Sequence, residues 1–149
     1  MTDAYKAPAS NVEKDDEQTI VLRQLYKEQS YVAALLGGLI GLVPGLLLCF
    51  FIASEMSGFI TLFVLLLPGA VTAGFVKFCG RAFDARVRLA PAVLTFLILA
   101  TIFWIETFSP LLILIAFINA VIVMGFSRRP LTYEQEKVLY AYRIGKINL

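Results

Sequence analysis

Residues 31–53 read YVAALLGGLIGLVPGLLLCFFIA, a run of 23 apolar or small residues from Tyr31 to Ala53 without one charge. At the 1.5 Å rise of an α-helix, such a run reaches across the ~30 Å hydrocarbon core of a bilayer. A helix on the surface of a soluble protein needs a polar face, and this run has none. Lipid offers no partner to free backbone N–H and C=O groups, so a crossing segment of this kind must be helical. Three later stretches, 58–79, 89–105 and 110–127, follow the same rule. The second passes over a single Lys77 before Phe78-Cys79, and the last two hold about 17 apolar residues each, near the lower limit for a span. A charge at mid-span costs ~2.5–3.5 kcal/mol, and none of the four carries one there. The expected fold is therefore an all-α membrane protein. It is a four-transmembrane-helix bundle made of two helical hairpins, with short cytoplasmic helices at both termini.

Composition narrows the classes in the same direction. The chain has 149 residues, 59% of them hydrophobic and 16% charged, and its mean hydropathy is +0.80. Soluble domains carry roughly a quarter charged residues, and disordered, collagenous and coiled-coil chains are further still from these values. There is no His, which removes the usual neutral-pH proton shuttle and the commonest metal ligand. The two cysteines, Cys49 and Cys79, lie inside separate apolar runs, with neither metal nor redox spacing. On helical rise they sit near opposite membrane faces, at least ~20 Å apart, too far for a disulfide within one copy. The polar, acidic N-terminus reads as neither a cleavable signal nor a lipidation site.

Orientation follows from the basic residues. Lys14, Arg23 and Lys27 precede the first span; Lys77, Arg81, Arg86 and Arg88 lie between the second and third; Arg128, Arg129, Lys137, Arg143 and Lys146 follow the fourth. The connections at 54–57 and 106–109 carry no Lys or Arg and one Glu each, Glu55 and Glu106. With the more distant Lys6, all 13 basic residues fall on one side, which the positive-inside rule makes cytoplasmic. Both termini are expected inside. Phe50, Phe51, Phe59, Phe103, Trp104 and Phe108 near the outer ends, with Tyr26, Tyr31, Tyr133, Tyr140 and Tyr142 on the inner side, read as interfacial belts. Lys77, Arg81, Arg86, Arg88, Arg128 and Arg129 are the candidate contacts to anionic lipid at the inner face, where each basic residue contributes ~1 kcal/mol.

Within the spans, Ala33, Gly37, Gly41 and Gly45 repeat every four residues, a stripe that lets a second helix backbone approach closely. It serves packing inside one copy or a seam between copies. Pro44-Gly45 and Pro68-Gly69 lie at similar depths on successive spans. Each Pro removes an i to i−4 hydrogen bond, and the freed carbonyls either belong to inert kinks or line a polar spot of the sort seen in transporters. Asn119 is the one strongly polar residue deep in a span, and reads as interhelical glue or as a ligand for substrate. Pro44, Pro68 and Asn119 together form the candidate polar site. Thr72, Thr95 and Thr101 are expected to satisfy their hydroxyls on their own helices.

Outside the spans, residues 1–12 read as a disordered arm and 13–30 as a charged cytoplasmic helix running into the 31–127 membrane domain. In the 128–149 tail, Thr132 with Gln135 three residues on forms a capping-box pattern for a short amphipathic helix. That helix is expected to lie on the inner leaflet or to dock a partner.

No nucleophile–base pair, metal cluster or phosphate-binding glycine motif accompanies these features, so neither an enzyme nor a cofactor is expected. Nucleic acid is not an expected partner, since the basic loop is short and held at a membrane. Tyr5-Lys-Ala-Pro8 resembles the Tyr-x-x-Pro opening of many small multispan bacterial inner-membrane proteins without assigned activity. Gly74-Phe-Val-Lys-Phe-Cys-Gly-Arg81, which ends a span and opens a basic loop, is similar to segments of such proteins. The resemblance implies a bacterial inner-membrane location and transfers no site residue. Two functions remain: a non-catalytic interaction or accessory component that packs with itself or another membrane protein, or a small oligomeric transporter or channel subunit. Four-span drug exporters place a carboxylate in their first span, and this chain has none there.

Overall fold

The computed structural model describes residues 10–55, 58–107 and 109–146. These residues form seven helices and no strand: α1 (Ser10–Glu28), α2 (Tyr31–Glu55), α3 (Phe59–Val64), α4 (Leu67–Gly80), α5 (Ala85–Thr107), α6 (Pro110–Phe126) and α7 (Tyr133–Arg143). The protein is all-α. Residues 1–9, most of the expected arm, lie outside the described residues, as does Phe108; α1 begins at Ser10, three residues before the expected start.

The chain divides into two compact units. One comprises the residues through Glu28 and those from Leu131 onward; the other runs from Gln29 to Pro130. In the first, α1 and α7 pack on each other, with Leu22, Leu25, Val138 and Leu139 buried. The rings of Tyr26 and Tyr142 meet edge to face at 6.2 Å. At the start of α7 the capping box is formed: the Gln135 amide donates to Thr132 Oγ1 at 3.4 Å, and the Gln135 side chain accepts from the Thr132 amide at 3.1 Å. Tyr133, Tyr140 and Ile144 stay exposed.

In the second unit α2 packs on α4, α4 on α6, α6 on α5, and α5 back on α2. Its interior has two clusters. Ala34, Val76, Val87, Ala92 and Val123 fill the half next to the 81–84 loop, and Leu42, Leu99, Phe103, Ile115 and Ala116 fill the other half. Phe103, read from sequence as part of the outer aromatic belt, belongs to this second cluster. The outer surface is apolar: Phe50, Phe78, Ile105 and Phe117 are all more than half exposed, along with many Leu and Val side chains. A water-soluble surface does not display contiguous apolar area on this scale. Tyr31–Glu55, Phe59–Gly80 and Ala85–Ile105 are long and apolar enough to cross a membrane. Pro110–Phe126, at 17 residues, spans only ~25 Å by helical rise. Three or four apolar helices could therefore span a bilayer.

Two boundaries differ from the hydropathy reading, for different reasons. Helix α5 starts at Ala85, four residues ahead of its apolar run, because Asp84 Oδ1 accepts from the Arg86 amide at 3.2 Å and caps it. The stretch read as one span over 58–79 is two helices, α3 and α4, parted at Leu65-Leu66. Pro68 is the cause: it has no N–H for the Val64 carbonyl, and its ring occupies the space where that carbonyl would sit. The Leu66 amide turns back to Phe63 O at 3.1 Å, tightening the end of α3. By contrast, α2 continues through Pro44 to Glu55.

Candidate functional site

The deepest polar feature is built around this break. Asn119 lies on α6 and is fully buried. Its Oδ1 accepts from the Gly69 amide at 2.6 Å, and its Nδ2 donates to Leu65 O at 3.0 Å and to Ile115 O at 2.9 Å. In an uninterrupted helix the Gly69 amide would donate directly to Leu65 O, four residues back. The Asn119 amide is thus inserted into a single backbone hydrogen bond at the α3–α4 junction, replacing it with two. An inserted side chain of this kind is one of the few causes of a sharp helix interruption. Both Nδ2 protons and Oδ1 are engaged by the protein's own backbone.

The small residues around the break let the backbones come this close. A Cβ placed on Gly69 would lie 2.5 Å from Asn119 Oδ1 and 2.8 Å from Asn119 O. One placed on Gly45 would lie 2.8 Å from the Pro68 Cα. The second Pro-Gly pair therefore rests against α2 on one side and α6 on the other. Of the sequence candidates, Pro68 and Asn119 come together here, with Gly45 against them. Pro44 is half-buried inside α2, one residue before Gly45.

The rest of the small-residue stripe faces the same neighbour. A Cβ on Gly41 would meet Phe75 Cβ at 2.7 Å, and one on Gly37 would meet Cys79 Cβ at 2.8 Å, both on α4. At the end of the stripe the close approach is made by buried Ala34, against Gly80, rather than by Ala33, which is half-buried. Gly37, Gly41 and Gly45 are thus covered by α4 of the same chain. Cys49 is buried, Cys79 is exposed, and neither is in a disulfide.

The threonines divide. Thr95 Oγ1 donates to Pro91 O at 2.8 Å and Thr101 Oγ1 to Leu97 O at 2.7 Å, as expected of hydroxyls in apolar helices. Thr72 departs from the expectation: it is fully buried beyond the break, and its Oγ1 has no hydrogen-bond partner among the described residues.

At the basic end of this unit the connections are tied to one another. Gln29 Oε1 accepts from the amides of Phe83 and Asp84 at 3.2 and 3.0 Å, Ser30 N donates to Gly80 O at 3.3 Å, and Arg129 N donates to Ala82 O at 3.0 Å. Arg81 ends α4 in the left-handed region, φ 45°. Among the candidate lipid contacts, Lys77, Arg81, Arg86 and Arg128 are exposed and Arg129 is half-buried. Arg88 is turned inward. Its Nη1 donates to Met124 O at 2.5 Å in the last turn of α6, where a cation also meets the negative end of the helix dipole.

Gln29 was not singled out from the sequence, and Thr72 was read there as a hydroxyl satisfied on its own helix. A glutamine that binds loop amides more than fifty positions away leaves no local pattern, and an orphaned threonine looks like its satisfied neighbours. Among the described residues no group of three or more His, Cys, Asp or Glu side chains could hold a metal ion. No protein family, curated protein or solved structure matches the chain.

Proposed function

We propose that the chain is a non-catalytic integral membrane protein of the bacterial inner membrane, acting as an interaction or accessory component. Its four apolar stretches cross the bilayer as a bundle of two hairpins, with both termini in the cytoplasm and anionic lipid at the inner face. One observation carries the non-catalytic reading. Asn119, the strongly polar side chain deepest in the apolar region, is fully occupied in holding the α3–α4 break and presents no free group to a substrate. The location of every Lys and Arg on one side of the spans supports the orientation. Single cysteines at Ser109 and Pro130, in a chain lacking Cys49 and Cys79, test the topology with an impermeant maleimide. Labelling of Ser109→Cys in intact cells and of Pro130→Cys only in inverted vesicles is expected, and the reverse pattern refutes it. Native mass spectrometry of the complex taken out in native lipid particles tests the accessory role, with a second polypeptide in fixed stoichiometry as the expected result.

A second reading, a small oligomeric transporter or channel subunit, is favoured by the broken span and by the unpartnered Thr72 hydroxyl beside it. A closed homo-oligomer, together with flux in proteoliposomes that Thr72→Val abolishes without loss of fold, would establish it instead.

A further inference from the structure

Two open grooves flank α5, and they differ in one respect. The α5–α6 groove, about 440 Å³, is lined by apolar side chains alone, among them Ala92, Phe96, Ala120 and Met124. The α2–α5 groove, about 430 Å³, is walled by Leu35 and by Leu89, Ala90, Val93, Leu94 and Leu97, and Arg86 lines its end next to the basic loop. The α5 residues recur at helix spacing, so they form one stripe along that helix. From Arg86 to Leu97 the stripe runs ~16 Å, close to the depth of one leaflet, half of a ~30 Å hydrocarbon core.

We propose that the α2–α5 groove is a binding site for one anionic phospholipid, with an acyl chain along the stripe and the phosphate on the Arg86 guanidinium. Charge and depth both select this occupant. The cation stands where the headgroup region begins, and below it the walls are apolar for the length of one acyl chain. The basic residue two positions on, Arg88, is directed to Met124 O instead and does not line this groove. Asp84, the carboxylate at the start of α5, has Oδ1 turned onto the Arg86 amide as the helix cap, which keeps that oxygen occupied. A guanidinium also matches phosphate as a planar, two-pronged donor, which a lysine does not.

The site rests on the membrane-spanning reading above, and the test separates the two. Purified, delipidated protein is offered equimolar phosphatidylglycerol and phosphatidylcholine, and one-lipid adducts are counted by native mass spectrometry. The wild-type chain is expected to retain phosphatidylglycerol preferentially. Arg86→Gln is expected to lower that preference about fivefold, the factor corresponding to one basic contact near a charged headgroup. Ala90→Phe fills the groove with Arg86 intact and is expected to lose the selective adduct. Arg23→Gln, at an exposed arginine of α1 outside the candidate lipid contacts, and the filling of the other groove by Ala120→Phe are expected to leave it unchanged. Equal losses in Arg86→Gln and Arg23→Gln would reduce the effect to general surface charge and overturn the site. An unaltered adduct in Ala90→Phe, or a dimer occupying the groove in place of lipid, would overturn it as well. Adducts without headgroup preference defeat the site alone, whereas a chain that stays in water and takes up no lipid of either kind defeats the membrane reading with it.

Discussion

Replacing Asn119 by Leu and Pro68 by Ala, singly and together, probes the inserted amide. In Asn119→Leu the Gly69 amide and the Leu65 carbonyl lose their partners at 2.6 and 3.0 Å. A buried backbone group left without a hydrogen bond costs ~1–3 kcal/mol, so two of them place the variant ~2–6 kcal/mol below wild type. They cannot simply rejoin each other, because the Pro68 ring keeps the turn open. In Pro68→Ala that obstruction is gone: residue 68 gains an N–H for Val64 O, and Gly69 N can close directly on Leu65 O. Asn119→Leu should then cost only ~1 kcal/mol, the scale of one interhelical bond in a membrane. The expected coupling between the two substitutions is thus about 1–5 kcal/mol, with the lower half of that range matching the ~0.5–3 kcal/mol typical of residues sharing a hydrogen-bond network. Unfolding in mixed micelles by added sodium dodecyl sulfate, followed by far-ultraviolet circular dichroism and by the fluorescence of the single Trp104, measures all four corners. Strict additivity, or an Asn119→Leu variant within ~0.5 kcal/mol of wild type, would refute the insertion as the element that stabilises the break.

Two other outcomes follow from close contacts. Gly45→Ala forces a methyl to within 2.8 Å of the Pro68 backbone, which has little freedom to retreat, and should destabilise by about 1–3 kcal/mol in the same titration. Gly74→Ala, where nothing lies within 4 Å of the new Cβ, is the matched control and should be neutral or slightly stabilising. Thr132→Ala removes the cap of α7 and should cost about 1 kcal/mol, read as faster hydrogen exchange in the first turn of that helix with the spans unchanged.

The sequence by itself determined the class of fold. Uncharged runs such as 31–53 have one stable backbone form in lipid, so their helicity and approximate number follow from composition and length. The α7 cap was legible for the same reason: Thr132 and Gln135 act on each other across three residues, and local chemistry is written locally. Asn119 was visible as an anomaly, a polar residue in apolar surroundings, and so was each Pro-Gly pair. What they do was not visible. Pro44 and Pro68 look equivalent along the chain, yet α2 continues through one while the second span breaks at the other. The partner amide that makes the break tolerable comes from a residue 50 positions away. The glycine stripe announced close packing, but only the tertiary structure turned Gly37, Gly41 and Gly45 toward α4 and put Ala34 rather than Ala33 against Gly80. It likewise turned Arg88 inward and left Arg86 on a groove, a choice that two basic residues separated by one position cannot reveal. Burial and periodicity are properties of a segment and can be read from it. Which hydrogen-bonding groups meet is a property of how segments pack, and it exists only once the chain is folded.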